Sequence, residues 1–190
     1  MKTADLVKAL HEADKQGKSL FVRDDFKAMF PKESEDNLTK SLQRHVRNGL
    51  LVKVCQGLYQ NPMAHSMPSS KLESLVTMLR PNEMNIITGE TILSRYSVIS
   101  QMMFDYLVVM TTGASKKFET EFGTIEFVHT KRNPENIKAT SIYDETLDVY
   151  VATVEQAYKD LQAMNRNLQL VDMDELADAI EEQKEELNLD

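Results

Sequence analysis

Cysteine is almost absent. One thiol, Cys55, in 190 residues excludes an intramolecular disulfide and any metal site built from several thiolates. Glycine is scarce, at 6 residues, and neither G-x-x-x-x-G-K-[S/T] nor G-x-G-x-x-G occurs, so no phosphate-cradling loop of those kinds is encoded. No uncharged apolar run approaches the roughly 20 residues of a membrane span; the longest covers only 106–110. The opening Met1-Lys2-Thr3-Ala4-Asp5 leads into an amphipathic pattern rather than a signal-peptide core. These absences predict a cytoplasmic protein without membrane contact.

What is present is ordinary for a globular chain, with 42% hydrophobic and 27% charged residues. The length suits one large domain or two small ones. The net charge of −8 is unevenly spread: residues 1–62 carry +3 and residues 63–190 carry −11. Nine acids and two bases fall between Arg166 and Asp190. A mildly basic head on an acidic body suggests two units with different partners.

Patterning sharpens that division. Leu6, Val7, Leu10 and Ala13 form one helical stripe over 3–16. A short extended segment follows over 19–22, then a helix capped by Asp24 and stopped by Pro31. Ser34 caps a third helix reaching about Asn48, with Leu38, Leu42 and Val46 as its buried stripe and Gly49 as its stop. Two β-type runs around Gln56-Gly57 read as a hairpin. Helix, strand, helix, helix, hairpin is the layout of a winged helix-turn-helix. The expected organisation is α+β: a winged helix-turn-helix over 1–62, a linker over 63–70, and a mixed α/β domain over 71–190 ending in an acidic helix. Within that second domain the pattern predicts a helix opened by the capping box Ser70-Lys71-Leu72-Glu73 and running to about Arg80. Further elements follow: a helix at 90–96, strands at 106–112 and 147–152, a hairpin around Phe122-Gly123, and helices from Val154 and Asp172.

With Leu38, Leu42 and Val46 inward, Asn37, Lys40, Ser41, Arg44 and Arg47 fall on or near the opposite face of the third helix. Arginine reads guanine O6 and N7, asparagine reads adenine, and lysine and serine serve mostly phosphates. Lys53 and Tyr59 on the hairpin would sit where a wing meets the DNA backbone. Glu35 and Asp36 at the helix start oppose this by repelling phosphate. A solvated helix face is the bland reading of the same residues, and a winged-helix protein-interaction module is the alternative function. His45 adjoins the apolar stripe and reads as a partly buried, hydrogen-bonded histidine; His11, His65 and His129 are isolated, without metal-ligand spacing. Asp105, Glu126, Asp144 and Glu145 lie near strands without a recognisable catalytic pattern, and His129-Thr130-Lys131-Arg132 is a small cationic cluster, a solvated loop on the bland reading and a secondary nucleic-acid contact on the sharper one. Met102 and Met103 read as core filler. No catalytic, cofactor-binding or metal-binding residue is expected, and no enzyme reading has positive support.

Four segments resemble one family. The run Leu42-Gln43-Arg44-His45-Val46-Arg47-Asn48-Gly49-Leu50-Leu51-Val52-Lys53-Val54, with Gly57-Leu58-Tyr59, is similar to the helix-to-wing segment of AbiEi-type antitoxins. The blocks 91–101, 118–129 and 151–161 resemble later parts of the same family in the same order. The resemblance implies the antitoxin of a bacterial type IV toxin–antitoxin pair acting in abortive phage infection. Such a protein would repress its own promoter by binding inverted repeats in double-stranded DNA. It would also counter a nucleotidyltransferase-type toxin without forming a stable complex.

Overall fold

A computed structural model describes residues 1–100 and 105–188. Met102 and Met103, read from the sequence as core residues, lie outside the described residues. The architecture is mixed α+β with a six-stranded mixed sheet, and the chain divides into two compact units: Met1–Lys71 with Thr120–Phe122, and Leu72–Glu119 with Gly123–Asp190.

The first unit runs α1 (Thr3–Lys15), β1 (Leu20–Val22), α2 (Arg23–Met29), α3 (Glu35–Arg47), β2 (Val52–Cys55) and β3 (Leu58–Gln60). Its three strands form an antiparallel sheet in the order β1-β3-β2. Leu6, Leu10 and Ala13 of α1 pack with Phe21, Phe26, Leu38, Leu42 and Leu51 in one core. Each fully buried Leu or Phe there contributes about 1.5–3 kcal/mol. α2 is fastened by Asp25, which accepts the Val22 N–H at 2.8 Å, and not by Asp24, which lies in the first turn and pairs with Lys27. Ser34 caps α3 as expected, accepting the Asn37 N–H at 3.3 Å. At the far end Gly49 takes φ +73°, where an L side chain is strained, and this lets Leu50 and Leu51 both donate to the His45 carbonyl.

The buried side of α3 differs from the expected stripe. Leu38, Ser41, Leu42 and His45 are buried, while Val46 is only half-buried against the core. A strict four-residue repeat precesses by about 40° at each step on a helix of 3.6 residues per turn. By Val46 that row has rotated away from the core, whereas the i, i+3, i+4, i+7 set stays inward.

The segment 63–70 is not free of the first unit. Asp14 accepts the backbone N–H groups of His65 at 3.1 Å and Ser66 at 2.9 Å, and Ser19 donates to the Ser66 carbonyl. Hydrogen bonds from Ser66 and His65 hold the Asp14 carboxyl down at about 2.

The second unit comprises α4 (Leu75–Leu79), β4 (Asn85–Ile87), α5 (Glu90–Arg95), β5 (Tyr106–Thr111), β6 (Lys116–Thr120), β7 (Gly123–His129), α6 (Pro134–Ala139), β8 (Ser141–Asp144), β9 (Val149–Ala152), α7 (Val154–Met164) and α8 (Met173–Asn188). A 3-10 turn, Leu168–Leu170, separates α7 from α8. The strand order is β6-β7-β5-β4-β9-β8, with β5 parallel to β7 and β4 parallel to β9. The central strands β4 and β5 are almost continuously buried, as strands covered on both faces must be. Gly123 is required here: a Cβ would lie 2.4 Å from the Asp105 carbonyl oxygen, and its φ is +130°.

Two expectations fail in this unit. The helix expected from Ser70 starts only at Leu75, with turns over 71–74 before it. α6 and β8 form where no element was expected, α6 being opened by Asn133, which accepts the Asn136 N–H at 2.8 Å, with Pro134 behind it.

Candidate nucleic-acid interface

α3 presents Asn37, Lys40, Arg44 and Arg47 to solvent. These residues are spaced i, i+3, i+7, i+10, so they form a single stripe spanning about 15 Å at 1.5 Å per residue. Arg44 is already engaged: its Nη2 donates to the Met1 carbonyl at 2.7 Å. Ser41 is a correction. It is only 7% exposed, because it belongs to the inward i+3 position described above, and it lies off the outward stripe.

The acids at the helix start are partly neutralised. Arg23 Nη2 meets Glu35 Oε2 at 2.7 Å and Lys27 Nζ meets Glu35 Oε1 at 2.8 Å. The hydrogen bond from Lys27 holds the Glu35 carboxyl below its ordinary value. Arg23 also donates to the Thr39 hydroxyl and thereby ties α2 to α3. The repulsion expected from Glu35 is therefore offset within the unit, while Asp36 stays exposed.

On the hairpin, Lys53 is exposed and directly opposite Tyr59 in the antiparallel register. Tyr59 is half-buried. Its ring packs edge-on against Phe26 with centroids 5.7 Å apart and 88° between planes, and burial pushes its hydroxyl pKa up. An aromatic ring finds more apolar contact beside Phe26 than on an open strand, so the Tyr59 ring leans on the core while the residue stays half-buried. Between Lys53 and Cys55 the register shifts by a bulge, and Gly57 turns the chain at φ +82°.

A groove of about 890 Å³ runs beside the stripe. Lys2 and Thr3, at the start of α1, wall one side; Lys40, Ser41, Arg44 and Asn48 line α3. Nothing in the periodicity of α3 announces that the first residues of the chain flank it. Lys2, Thr3 and Asn48 were accordingly missed, and only their polar character hints at them.

His45 is wholly buried rather than partly so; the Met1 backbone is the polar group that acts on its ring. Burial pushes its pKa below the ordinary value.

In the second unit two of the acids singled out from the sequence, Glu126 and Asp144, have structural partners. Glu126 accepts both Arg166 Nη groups at 2.8 Å and the Tyr106 hydroxyl. Burial first, then Glu126, pushes Tyr106 up to about 12. Asp144 accepts the N–H groups of Thr146 and Leu147 in a turn. Arg132 is not a solvated loop cation: it meets Asp160 at 3.0 Å, and Asp160 also accepts from Thr88 at 2.7 Å and Gln156 at 2.8 Å. Among the described residues no cluster of three His, Cys, Asp or Glu is placed to hold a metal ion, and no helix is long and apolar enough to cross a membrane.

Comparison with protein families and with curated proteins finds no match for the chain.

Proposed function

We propose that the first unit is a winged helix that binds double-stranded DNA, with α3 as recognition helix and the β2–β3 hairpin as wing. One observation carries the reading. Asn37, Lys40, Arg44 and Arg47 stand together in solvent on one side of α3, while its opposite side is sunk in the core. The order of elements and the antiparallel β1-β3-β2 sheet support the same reading. Asn37 and Arg44 read bases; Lys40, Arg47 and Lys53 neutralise phosphates.

Together with the resemblance to AbiEi-type antitoxins, this gives a cytoplasmic autorepressor that binds inverted repeats in its own promoter. The acidic second unit would counter a nucleotidyltransferase-type toxin of a type IV toxin–antitoxin pair without a stable complex. No catalytic role is proposed. Binding of the full chain to its own upstream duplex tests the DNA half. Growth rescue on co-expression with a nucleotidyltransferase encoded beside it tests the antitoxin half. Failure to bind that duplex under low salt would favour the alternative, a protein-interaction module.

A further inference from the structure

The second unit holds a cavity of about 390 Å³ beside the turn that joins β8 to β9. Tyr143 of β8 and Tyr150 of β9 both line it. They are cross-strand partners, with ring centroids 5.2 Å apart and 60° between planes. A tyrosine ring gains by burial, yet Tyr143 is 46% exposed. Its hydroxyl donates to Asp148, which also lines the cavity, and this bond pushes the Tyr143 pKa up. A phenol that donates to a carboxylate is polarised, which leaves its ring face richer in electrons. Glu83 and Asp148 are the acids of the lining and Arg80 is its cation. Arg80 is already engaged: Nη2 donates to the Ala114 carbonyl at 2.9 Å, the guanidinium carbon lies 5.3 Å from the Phe127 ring centroid, and Nε is closed to solvent. Aromatic faces with an excess of carboxylate remain, and that combination attracts a cation. A phosphate-bearing ligand would instead meet repulsion from both acids.

We propose that this cavity is a cage for an arginine side chain carried by a basic segment of a partner protein. Tyr143 and Tyr150 offer ring faces to the guanidinium, and the Asp148 carboxylate accepts from its N–H groups. Arginine fits better than lysine because a planar guanidinium stacks on a ring and pairs with a carboxylate at the same time. A polypeptide fits better than a free cation because Ile142, 39% exposed, stands next to Tyr143 on the outermost strand and offers apolar surface to flanking residues. The charge of −11 over residues 63–190 draws a basic segment to this unit. None of these residues belongs to the proposed DNA interface.

The test is an NMR titration of the full chain with N-acetyl-argininamide. The ring resonances of Tyr143 and Tyr150 shift together and saturate. Tyr150→Leu weakens binding about tenfold through loss of a ring face. Asp148→Asn weakens it about two- to fivefold, as loss of an exposed ion pair does. The second variant keeps the fold, because asparagine readily adopts the φ of +52° found at this position. N-acetyl-lysinamide binds more weakly, and the same arginine within an uncharged pentapeptide binds more tightly. A parent whose ring resonances stay fixed overturns the cage. Shifts dispersed over acidic α8, with Asp148→Asn binding as the parent does, show general charge attraction and overturn it too. Equal binding of the lysine amide overturns the choice of arginine, and equal binding of the amide and the pentapeptide overturns the polypeptide partner. Ring shifts with adenosine and none with the arginine amide assign the cavity to nucleobases, against the proposal.

Discussion

Arg44 Nη2 donates a 2.7 Å hydrogen bond to the carbonyl oxygen of Met1. One hydrogen of a guanidinium that has five is committed, and the remainder keep the forked geometry that pairs with guanine. The bond holds a long, flexible side chain in one orientation before any base is met, which lowers the entropy cost of reading. Arg44→Ala is expected to cost about 1–3 kcal/mol and to relax base preference at one position. Titration against duplexes varied one base pair at a time measures both. Unaltered preference removes Arg44 from base reading.

Lys53 and Tyr59 are cross-strand neighbours with opposite destinations, one in solvent and one against Phe26. Lys53→Ala should therefore weaken all sequences alike, as loss of a phosphate contact does. Tyr59→Phe should leave affinity unchanged, and Tyr59→Ala should lower the melting temperature through lost packing. Equal losses of affinity in Lys53→Ala and Tyr59→Phe would show Tyr59 to be a DNA contact after all.

His45 is wholly buried, and burial holds its folded-state pKa below the ordinary 6.5. The unfolded chain then binds the proton more readily than the folded one. His45's contribution to stability is complete above the unfolded pKa and is lost as pH falls through 6.5 towards the depressed folded value. Thermal melts of the parent and of His45→Leu across that range check the sign. The parent should lose stability on acidification more steeply than the variant, and parallel curves would contradict the assignment.

Asp160 gathers Thr88, Arg132 and Gln156 at one nearly dry point in the second unit. Asp160→Ala strands the partly buried Arg132 charge and is expected to cost about 3–5 kcal/mol, as removal of one partner of a buried pair does. Denaturant unfolding measures it. Duplex affinity of the folded fraction should stay at the parent level, because none of these residues belongs to the α1–α3 groove.

These examples also mark what the sequence could and could not disclose. α1 and α3 were legible because their stripes are local and their stops are chemically distinct, Ser34 and Gly49 above all. The fault within α3 was one of phase: a four-residue count carried Val46 inward and left Ser41 on the outer face. Long-range pairings left no local trace. Asp160 meets Thr88 across 72 residues, and β5 joins β7 in parallel with β6 outside them both. α6 carried its signal in Asn133-Pro134, but six residues with Ile137 alone buried offer too little periodicity to notice. Of the proposed interface, the stripe Asn37–Lys40–Arg44–Arg47 was readable, whereas Lys2 and Thr3 became visible only when α1 folded beside it.

The most direct measurement is the affinity of the intact chain for duplex DNA from immediately upstream of its own gene, against unrelated duplex, over graded salt. With four to six phosphate contacts, log affinity should fall against log salt with a slope of about −4 to −5, and the upstream duplex should bind more tightly than the unrelated one. Equal binding to both duplexes, or an affinity indifferent to salt, contradicts the assignment of α3 as a recognition helix.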